Sequence, residues 1–208
     1  MTNCHGLKIT IENDLIMSEK YKNKYRIKSA RMPNWDYGNN GMYFITICTQ
    51  NREYFFGDVN AGKMKLKEIG KLAHKYWNEI PKHFPFVKLD EFVVMPNHMH
   101  GILIIDKTDG DGDATNATSP PNATPPNTVK NQKMANISPK PGSVSTIIRS
   151  YKSVVTKNAR LSNPDFGWQS RFHDHIIRNE KSFHNISNYI INNPIHWNED
   201  KFYKKENI

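Results

Sequence analysis

The stretch VVMPNHMHGILIID, residues 93–106, constrains the fold most, because it has the pattern of a buried β-strand yet carries two histidines. His98 and His100 are separated only by Met99 and lie among aliphatic residues. Side chains alternate between the two faces of a strand, so both imidazoles point to one face and Met99 to the other. Two convergent imidazoles can begin a divalent-cation site, although a pair of ordinary, partly buried histidines fits this spacing equally well.

The other predicted elements fit around this strand as an α+β fold. In chain order they are strand 42–50, amphipathic helix 62–80, strands 86–95 and 99–106, a helix capped by Ser143, strand 166–178, and a helix capped by Asn179 that runs from Glu180 to about Asn192. This order predicts a ferredoxin-like, split βαβ antiparallel sheet with helices on one face. The last of these helices bears a tyrosine and ends the fold.

Composition divides the chain into segments. Residues 1–40 are polar and cationic, which predicts a basic N-terminal arm, and residues 41–197 form one domain. Residues 107–142 hold half of the 12 prolines and no aromatic residue, so they are predicted to be a disordered insertion within that domain. Residues 198–208 are predicted to be a C-terminal tail.

Charge and cysteine content limit the classes of protein to which the chain can belong. Lysine and arginine outnumber aspartate and glutamate by 29 to 20, which favours a nucleic-acid partner, although solubility alone could account for the excess. Cys4 and Cys48 form no CxxC pattern, so neither a disulfide framework nor a structural zinc site is expected. No apolar stretch suits a signal peptide or a membrane span, which predicts a cytoplasmic protein without a membrane partner.

The last helix offers more polar groups for the histidine site. Tyr189 and Asn193 are four residues apart and share a helix face, so an amide oxygen and a phenol lie side by side. Pro194 biases Asn193 away from helical geometry, which predicts a distorted last turn. The alternative for Tyr189 is that its ring simply packs against neighbouring apolar residues.

Three motifs, in this order, resemble the HUH-type single-tyrosine transposases, in particular the REP-associated tyrosine transposases and related insertion-sequence enzymes. They are the strand motif MPNHMHGIL (95–103), the stretch WQSRFHDHIIRNE (168–180) and the helix NYIINNP (188–194). KYRIKSARMPNWDY (24–37) and SVSTIIRSYKSVVTK (143–157) resemble the same family. The similarity covers about 24–106 and 143–197, which is most of the chain that is predicted to be ordered.

The resemblance implies roles for individual residues. His98 and His100 match the paired metal-binding histidines, Tyr189 matches the nucleophile, and Asn193 falls where the family has a polar third ligand. The implied activity is transposase chemistry: single-stranded DNA is cut and rejoined with Mg²⁺ or Mn²⁺ through a 5′-phosphotyrosine intermediate, and DNA hairpins are recognised beside the cut. The family fold is the ferredoxin-like one predicted above. A monomer and a homodimer both remain open.

Cationic residues on the predicted last helices and strand are candidate DNA contacts, with ordinary solvated faces as the alternative. The candidates are Arg149, Lys152, Arg171, Arg178 and His175. His173 and His175 also form a second HxH pair that competes for the metal by spacing alone. Tyr151 is a rival nucleophile, but it lies on an apolar stripe, which favours core packing.

Two other functions are compatible with a ferredoxin-like fold. One is a non-catalytic nucleic-acid-binding module, which would need neither a histidine pair nor a tyrosine helix. The other is a zinc hydrolase that uses the same histidines with water as the nucleophile and forms no covalent intermediate.

Overall fold

A four-stranded antiparallel sheet is the centre of the fold, in a computed structural model that describes residues 31–32, 34–107 and 139–203. Its strands lie in the order β4-β5-β1-β6. They are β1, Gly41–Cys48; β4, Val87–Val94; β5, His98–Ile105; and β6, His173–Ile177. This order and the antiparallel pairing are those of a split βαβ sheet, so the predicted fold class is confirmed.

The chain divides into two compact units, residues 1–32 and 33–208, and every element described here belongs to the second. The basic arm predicted for residues 1–40 lies mostly outside the described residues, as does most of the insertion predicted for 107–142. No helix within the described ranges is both long and apolar enough to cross a membrane.

Within the described ranges, four α-helices accompany the sheet. They are α1, Glu68–Asn78; α2, Ile80–His83; α3, Val144–Ala159; and α4, Glu180–Asn192. The Ser143 side chain accepts a hydrogen bond from the backbone N–H of Thr146, and Asn179 accepts one from Ser182. Both predicted N-caps are therefore confirmed.

The first helix is shorter than predicted, because residues 57–66 form a separate hairpin. Strands β2, Gly57–Asn60, and β3, Lys63–Leu66, pair antiparallel and turn at Ala61 and Gly62, both of which have positive φ angles. The prediction of one helix over 62–80 was wrong at its start. Met64 and Leu66 follow the two-residue period of a strand, and the tight turn at Ala61 and Gly62 pairs this strand with β2.

The last strand is also shorter than the predicted 166–178. Phe166 is buried in the main core, and Trp168 makes an isolated antiparallel bridge to Thr49. Regular pairing with β1 covers only His173 to Ile177. The aromatic residues of this segment are thus used for core packing before the chain enters the sheet.

The two faces of the sheet are covered by different helices. On one face, Met99 and its neighbours pack against α1 and α3, and the Tyr151 hydroxyl donates to the Ala73 carbonyl oxygen at 3.1 Å. The predicted core position of Tyr151 is confirmed, and Met99 lies on the sheet face opposite the histidines, as predicted. On the opposite face Ile190 of α4 packs against Ile102, so the histidines, which alternate with the core residues, face α4.

The ends of the insertion are attached at one end of the sheet. Lys107 follows β5 directly, and its backbone N–H donates to the Asn40 side chain at 2.8 Å. Lys140 returns beside the same region and forms an ion pair with Asp36 at 2.7 Å. The insertion therefore leaves and re-enters the fold at the end of β5 opposite His98.

Replacing Gly101 with alanine is expected to destabilise the protein by about 1–3 kcal/mol through overpacking. A Cβ at this position in β5 would lie 2.6 Å from the Trp77 ring, which is fully buried. The measurement is the free energy of unfolding in urea. Gly41→Ala is the matched control, since its Cβ would meet the Tyr43 hydroxyl at an ordinary 3.5 Å. Equal stability of the two variants would contradict this packing argument.

Candidate active and metal-binding site

The structure brings together the four side chains that sequence reasoning selected as nucleophile and metal ligands. The hydroxyl of Tyr189 lies 3.3 Å from Nε2 of His100, and the rings of His98 and His100 have centroids 4.6 Å apart. Asn193 follows one helical turn after Tyr189 and is buried. Both imidazoles are buried, whereas Tyr189 is 42% exposed, so the phenol lies at the entrance to a closed polar centre.

The orientation of His98 is fixed by its sequence neighbour Asn97. The Asn97 amide donates to the carbonyl oxygens of Arg52, at 3.2 Å, and Phe202, at 2.8 Å. Its oxygen therefore faces His98 and accepts a hydrogen bond from Nδ1–H at 2.9 Å. This assigns the proton to Nδ1 and leaves the Nε2 lone pair available as a metal ligand.

His100 is held between a strand neighbour and the tyrosine. Its Nδ1 lies 2.8 Å from the hydroxyl oxygen of Thr46 on β1, and its Nε2 faces Tyr189. Because the phenol has one hydrogen to donate, the consistent arrangement is Nδ1–H donating to Thr46 and Nε2 accepting from Tyr189. The Phe44 ring meets Tyr189 edge-on at 6.2 Å and stacks on His100 at 5.2 Å, which fixes both rings.

Burial keeps the two imidazoles and the phenol uncharged. It lowers the pKa of His98 well below its usual value, with the neighbouring His100 adding to the effect. It lowers the pKa of His100 to about 3, and the charges of Lys201 and His173 act in the same direction. Burial also raises the pKa of Tyr189 to about 12, reinforced by the Asp200 carboxylate. The imidazoles are therefore neutral and the phenol protonated at neutral pH.

Asp200 joins the site although sequence reasoning did not select it. Its carboxylate and one nitrogen each of His98 and His100 all lie within 4.8 Å of one another. Asn193 donates from its amide nitrogen to the same carboxylate at 3.1 Å. Asp200 follows a short 3₁₀ helix, Trp197–Glu199, that turns the chain back over the sheet after α4.

Two buried acceptors in this cluster have no hydrogen-bond partner among the described residues. They are Nε2 of His98 and the side-chain oxygen of Asn193. An unpaired buried polar atom is costly, and such atoms occur where a ligand completes the site. Imidazole, amide and carboxylate donors together suit a divalent cation. Asn193, the residue after the last helical one, keeps helical φ and ψ angles of −55° and −41°, but its N–H donates to the Ile190 carbonyl oxygen three residues back, so the last turn before Pro194 is tightened.

The second histidine pair lies on the same sheet face but stands apart from this cluster. In the β1–β6 register His173 is opposite Thr46, and His175 is opposite Phe44. Both are exposed. In the part of the chain that the structure describes, neither belongs to a group of three potential metal-binding side chains whose ligand atoms lie within 4.8 Å of one another. His175 therefore lies beside the site, at a position open to a substrate.

The predicted DNA contacts fall on two surfaces. Arg149 and Lys152 project from α3 into an open groove that is also lined by Lys157 and Arg160. Arg171, His175 and Arg178 lie in or beside β6, the edge strand, and all three are exposed.

The groove on α3 begins at the same end of the sheet as the histidines. Lys152 donates to the carbonyl oxygen of Gln169 at 2.6 Å, and the Gln169 N–H donates to Cys48 at 2.9 Å. Cys48 is opposite His98 in the β1–β5 register. The groove therefore begins near the histidine end of β1, on the side of the sheet that α3 covers.

Three residues of the site were missed from the sequence alone. Asn97 and Thr46 hold the imidazoles, and Asp200 supplies the carboxylate. Asn97 adjoins His98, which is a usable signal, because metal-binding histidines are usually oriented by a second hydrogen bond. Thr46 and Asp200 carry no local signal, since their proximity depends on strand register and on the return of the chain after Pro194.

Comparisons with known proteins agree with this fold. The chain is 38% identical over 181 residues to an uncharacterized protein of Haemophilus influenzae, covering 85% of this chain and 92% of that protein. No family profile matches the sequence. A solved structure of a REP-associated tyrosine transposase bound to a REP hairpin is similar, with a TM-score of 0.52 and 19% identity over 84% of this chain and 77% of that one.

The resemblance stated from the sequence motifs is thus confirmed for the fold. The chain belongs to one protein family with its Haemophilus influenzae relative, and its fold is that of the HUH-type tyrosine transposases.

Proposed function

We propose that this protein is a transposase-like enzyme that cuts and rejoins single-stranded DNA with Tyr189 as its nucleophile. The observation that most supports the proposal is the 3.3 Å contact between the Tyr189 hydroxyl and His100. A surface tyrosine that merely packs on a helix would not need a buried imidazole pair with an unpaired nitrogen beside it. The fold shared with a tyrosine transposase agrees with this chemistry.

The proposed substrate is single-stranded or hairpin DNA. The formal charge of +9 favours a polyanion, and the similar solved transposase was bound to a REP hairpin. The groove beside Arg149 and Lys152 and the edge strand near Arg171, Arg178 and His175 are the proposed contacts with its backbone.

The proposed cofactor is Mg²⁺ or Mn²⁺. His98 and His100 would each supply a nitrogen, and Asn193 and Asp200 are the candidate oxygen ligands. A cation held there would withdraw charge from the scissile phosphate and favour the phenolate form of a neighbouring tyrosine. The unpaired acceptors of His98 and Asn193 are the observations that support this ligand set.

In the proposed step, the phenol oxygen of Tyr189 forms a bond to phosphorus while the bond between phosphorus and the 3′ oxygen breaks. The product is a 5′-phosphotyrosine and a free 3′-hydroxyl. The phenol gives up one proton and the departing oxygen gains one, so the charge on the phosphodiester is unchanged. Rejoining runs in reverse, and because one ester is exchanged for another, no nucleotide cofactor is required.

The residues of the chain position the nucleophile. His100 accepts the hydrogen bond of the phenol, and Phe44 holds the tyrosine ring edge-on. The Nε2 lone pair of His100 accepts from the phenol and would be the atom that His100 offers to a cation. The 42% exposure of Tyr189 leaves its oxygen reachable by a phosphate from solvent.

Metal binding is expected to raise the melting temperature of the wild-type protein, and the His98→Ala and His100→Ala variants should lose this rise. A ligand at one hundred times its dissociation constant stabilises a folded protein by about 2.7 kcal/mol. The measurement is thermal unfolding with and without Mn²⁺. The double variant His173→Ala/His175→Ala is the matched control and should keep the rise. If the His173→Ala/His175→Ala variant lost the rise and the His98→Ala and His100→Ala variants kept it, the metal site would be assigned to His173 and His175.

The Tyr189→Phe variant should form no covalent DNA adduct and should still bind the DNA, because only the attacking oxygen is removed. The measurement is a denaturing gel after incubation with labelled hairpin DNA and Mn²⁺, with binding followed by fluorescence anisotropy. Tyr76→Phe, a half-buried tyrosine on α1, is the control and should form the adduct. A protease-sensitive adduct that survives in Tyr189→Phe would refute the assignment.

The same gel separates the competing functions. Cleavage by the wild type without an adduct would indicate a metal-dependent hydrolase that uses water. Binding with neither cleavage nor adduct would indicate a non-catalytic nucleic-acid-binding module.

A further inference from the structure

Two cationic side chains that the proposed function does not use lie over one aromatic ring at the site. The guanidinium carbon of Arg52 is 5.0 Å from the centre of the Phe202 ring, and the Lys201 ammonium is 4.9 Å from it. The Phe202 ring in turn lies 4.5 Å from the ring of His98 and 6.1 Å from that of His100. Both positive charges are thus one aromatic ring away from the imidazoles.

The same hydrogen bonds that orient His98 hold these cations in place. Arg52 donates from its guanidinium to the Lys201 carbonyl oxygen at 3.3 Å, which links the two segments directly. Asn97 donates to the carbonyl oxygens of Arg52 and Phe202 while it accepts from His98. The positions of the two charges are therefore tied to the position of the imidazole.

The backbone at Arg52 is strained. Asn51 and Arg52 have φ angles of 53° and 57°, in the left-handed region that residues other than glycine rarely adopt. Two successive residues of this kind cost free energy, and such conformations cluster at ligand-binding and active sites. The strained turn places the cationic side chain of Arg52 beside the histidine site, which is consistent with a ligand-binding role.

The two charges are available to an anion. Arg52 and Lys201 are both exposed, and neither forms an ion pair with a carboxylate within 4.0 Å in the described ranges. Their positive charges act on the site, because they lower the pKa of His98 further, after the larger effects of burial and of the neighbouring His100. One guanidinium nitrogen of Arg52 is used by the Lys201 carbonyl oxygen, and a guanidinium that lies on an aromatic face has further N–H groups at its edge that can bind the oxygens of a phosphate.

We propose that Arg52 and Lys201 form a phosphate clamp, which binds the backbone phosphates of single-stranded DNA on either side of the bond that Tyr189 attacks. The location of the cut rests on the proposed function, whereas the binding of phosphates does not. Each cation contacts non-bridging phosphate oxygens, and the Phe202 ring holds the two cations at a fixed distance from His98. The clamp thus presents the DNA strand to the exposed tyrosine hydroxyl.

Salt dependence of DNA binding tests the clamp without requiring cleavage. The affinity of the metal-free protein for a labelled oligothymidylate is measured by anisotropy over a series of salt concentrations. Arg52→Gln and Lys201→Gln should each reduce the slope of log affinity against log salt by about 0.7, the value for one contact with a single-stranded phosphate. Lys201→Arg should restore the wild-type slope. Lys71→Gln, an exposed charge on α1, should not change it.

A second readout places the clamp at the cut. In the two glutamine variants, the concentration of hairpin DNA that gives half-maximal formation of the Tyr189 adduct should rise, while the melting temperature stays at the wild-type value. Unchanged slopes in both variants, or an equal loss in Lys71→Gln, would overturn the clamp. A wild-type protein that forms no adduct but shows the expected slopes would refute the proposed function and leave phosphate binding by these residues intact.

Discussion

The three hydrogen bonds of the Asn97 side chain are the constraint on which the site depends. One fully buried amide joins the turn after β1, the segment after α4 and the imidazole of His98. These parts are distant in sequence, so the amide fixes their relative positions as well as the ring that it touches. An aspartate of the same shape could not donate to the two carbonyl oxygens, and a buried leucine would leave all three partners unsatisfied.

This constraint explains how two histidines tolerate an apolar strand. Burial makes an imidazolium unfavourable, so both rings are kept neutral and each is held through Nδ1 by a neighbour, Asn97 or Thr46. The remaining nitrogens converge toward α4. The sheet thus holds the two imidazoles rigidly. The exposed hydroxyl of Tyr189, at the other end of the cluster, is accessible from solvent.

The sequence predicted the parts of the fold that follow a simple period. The alternation around Met99 placed His98 and His100 on one face, and the four-residue spacing placed Tyr189 and Asn193 on one side of α4. Residues 62–66 were misassigned to the following helix, because the apolar residues Met64 and Leu66 of the short hairpin extend the apolar pattern of that helix. Asp200 could not be predicted, since its approach to the histidines depends on how the chain turns back after α4.

The attachment of the insertion has a practical consequence. β5 begins at His98 and ends at Ile105, so at the usual rise per strand residue the polypeptide leaves the sheet about 23 Å from His98 and about 17 Å from His100. Lys107 and Lys140 anchor the two flanks there. Lengthening the chain between these anchors, with a fluorescent reporter or an affinity tag, would leave the histidine cluster undisturbed and give a means of following the protein.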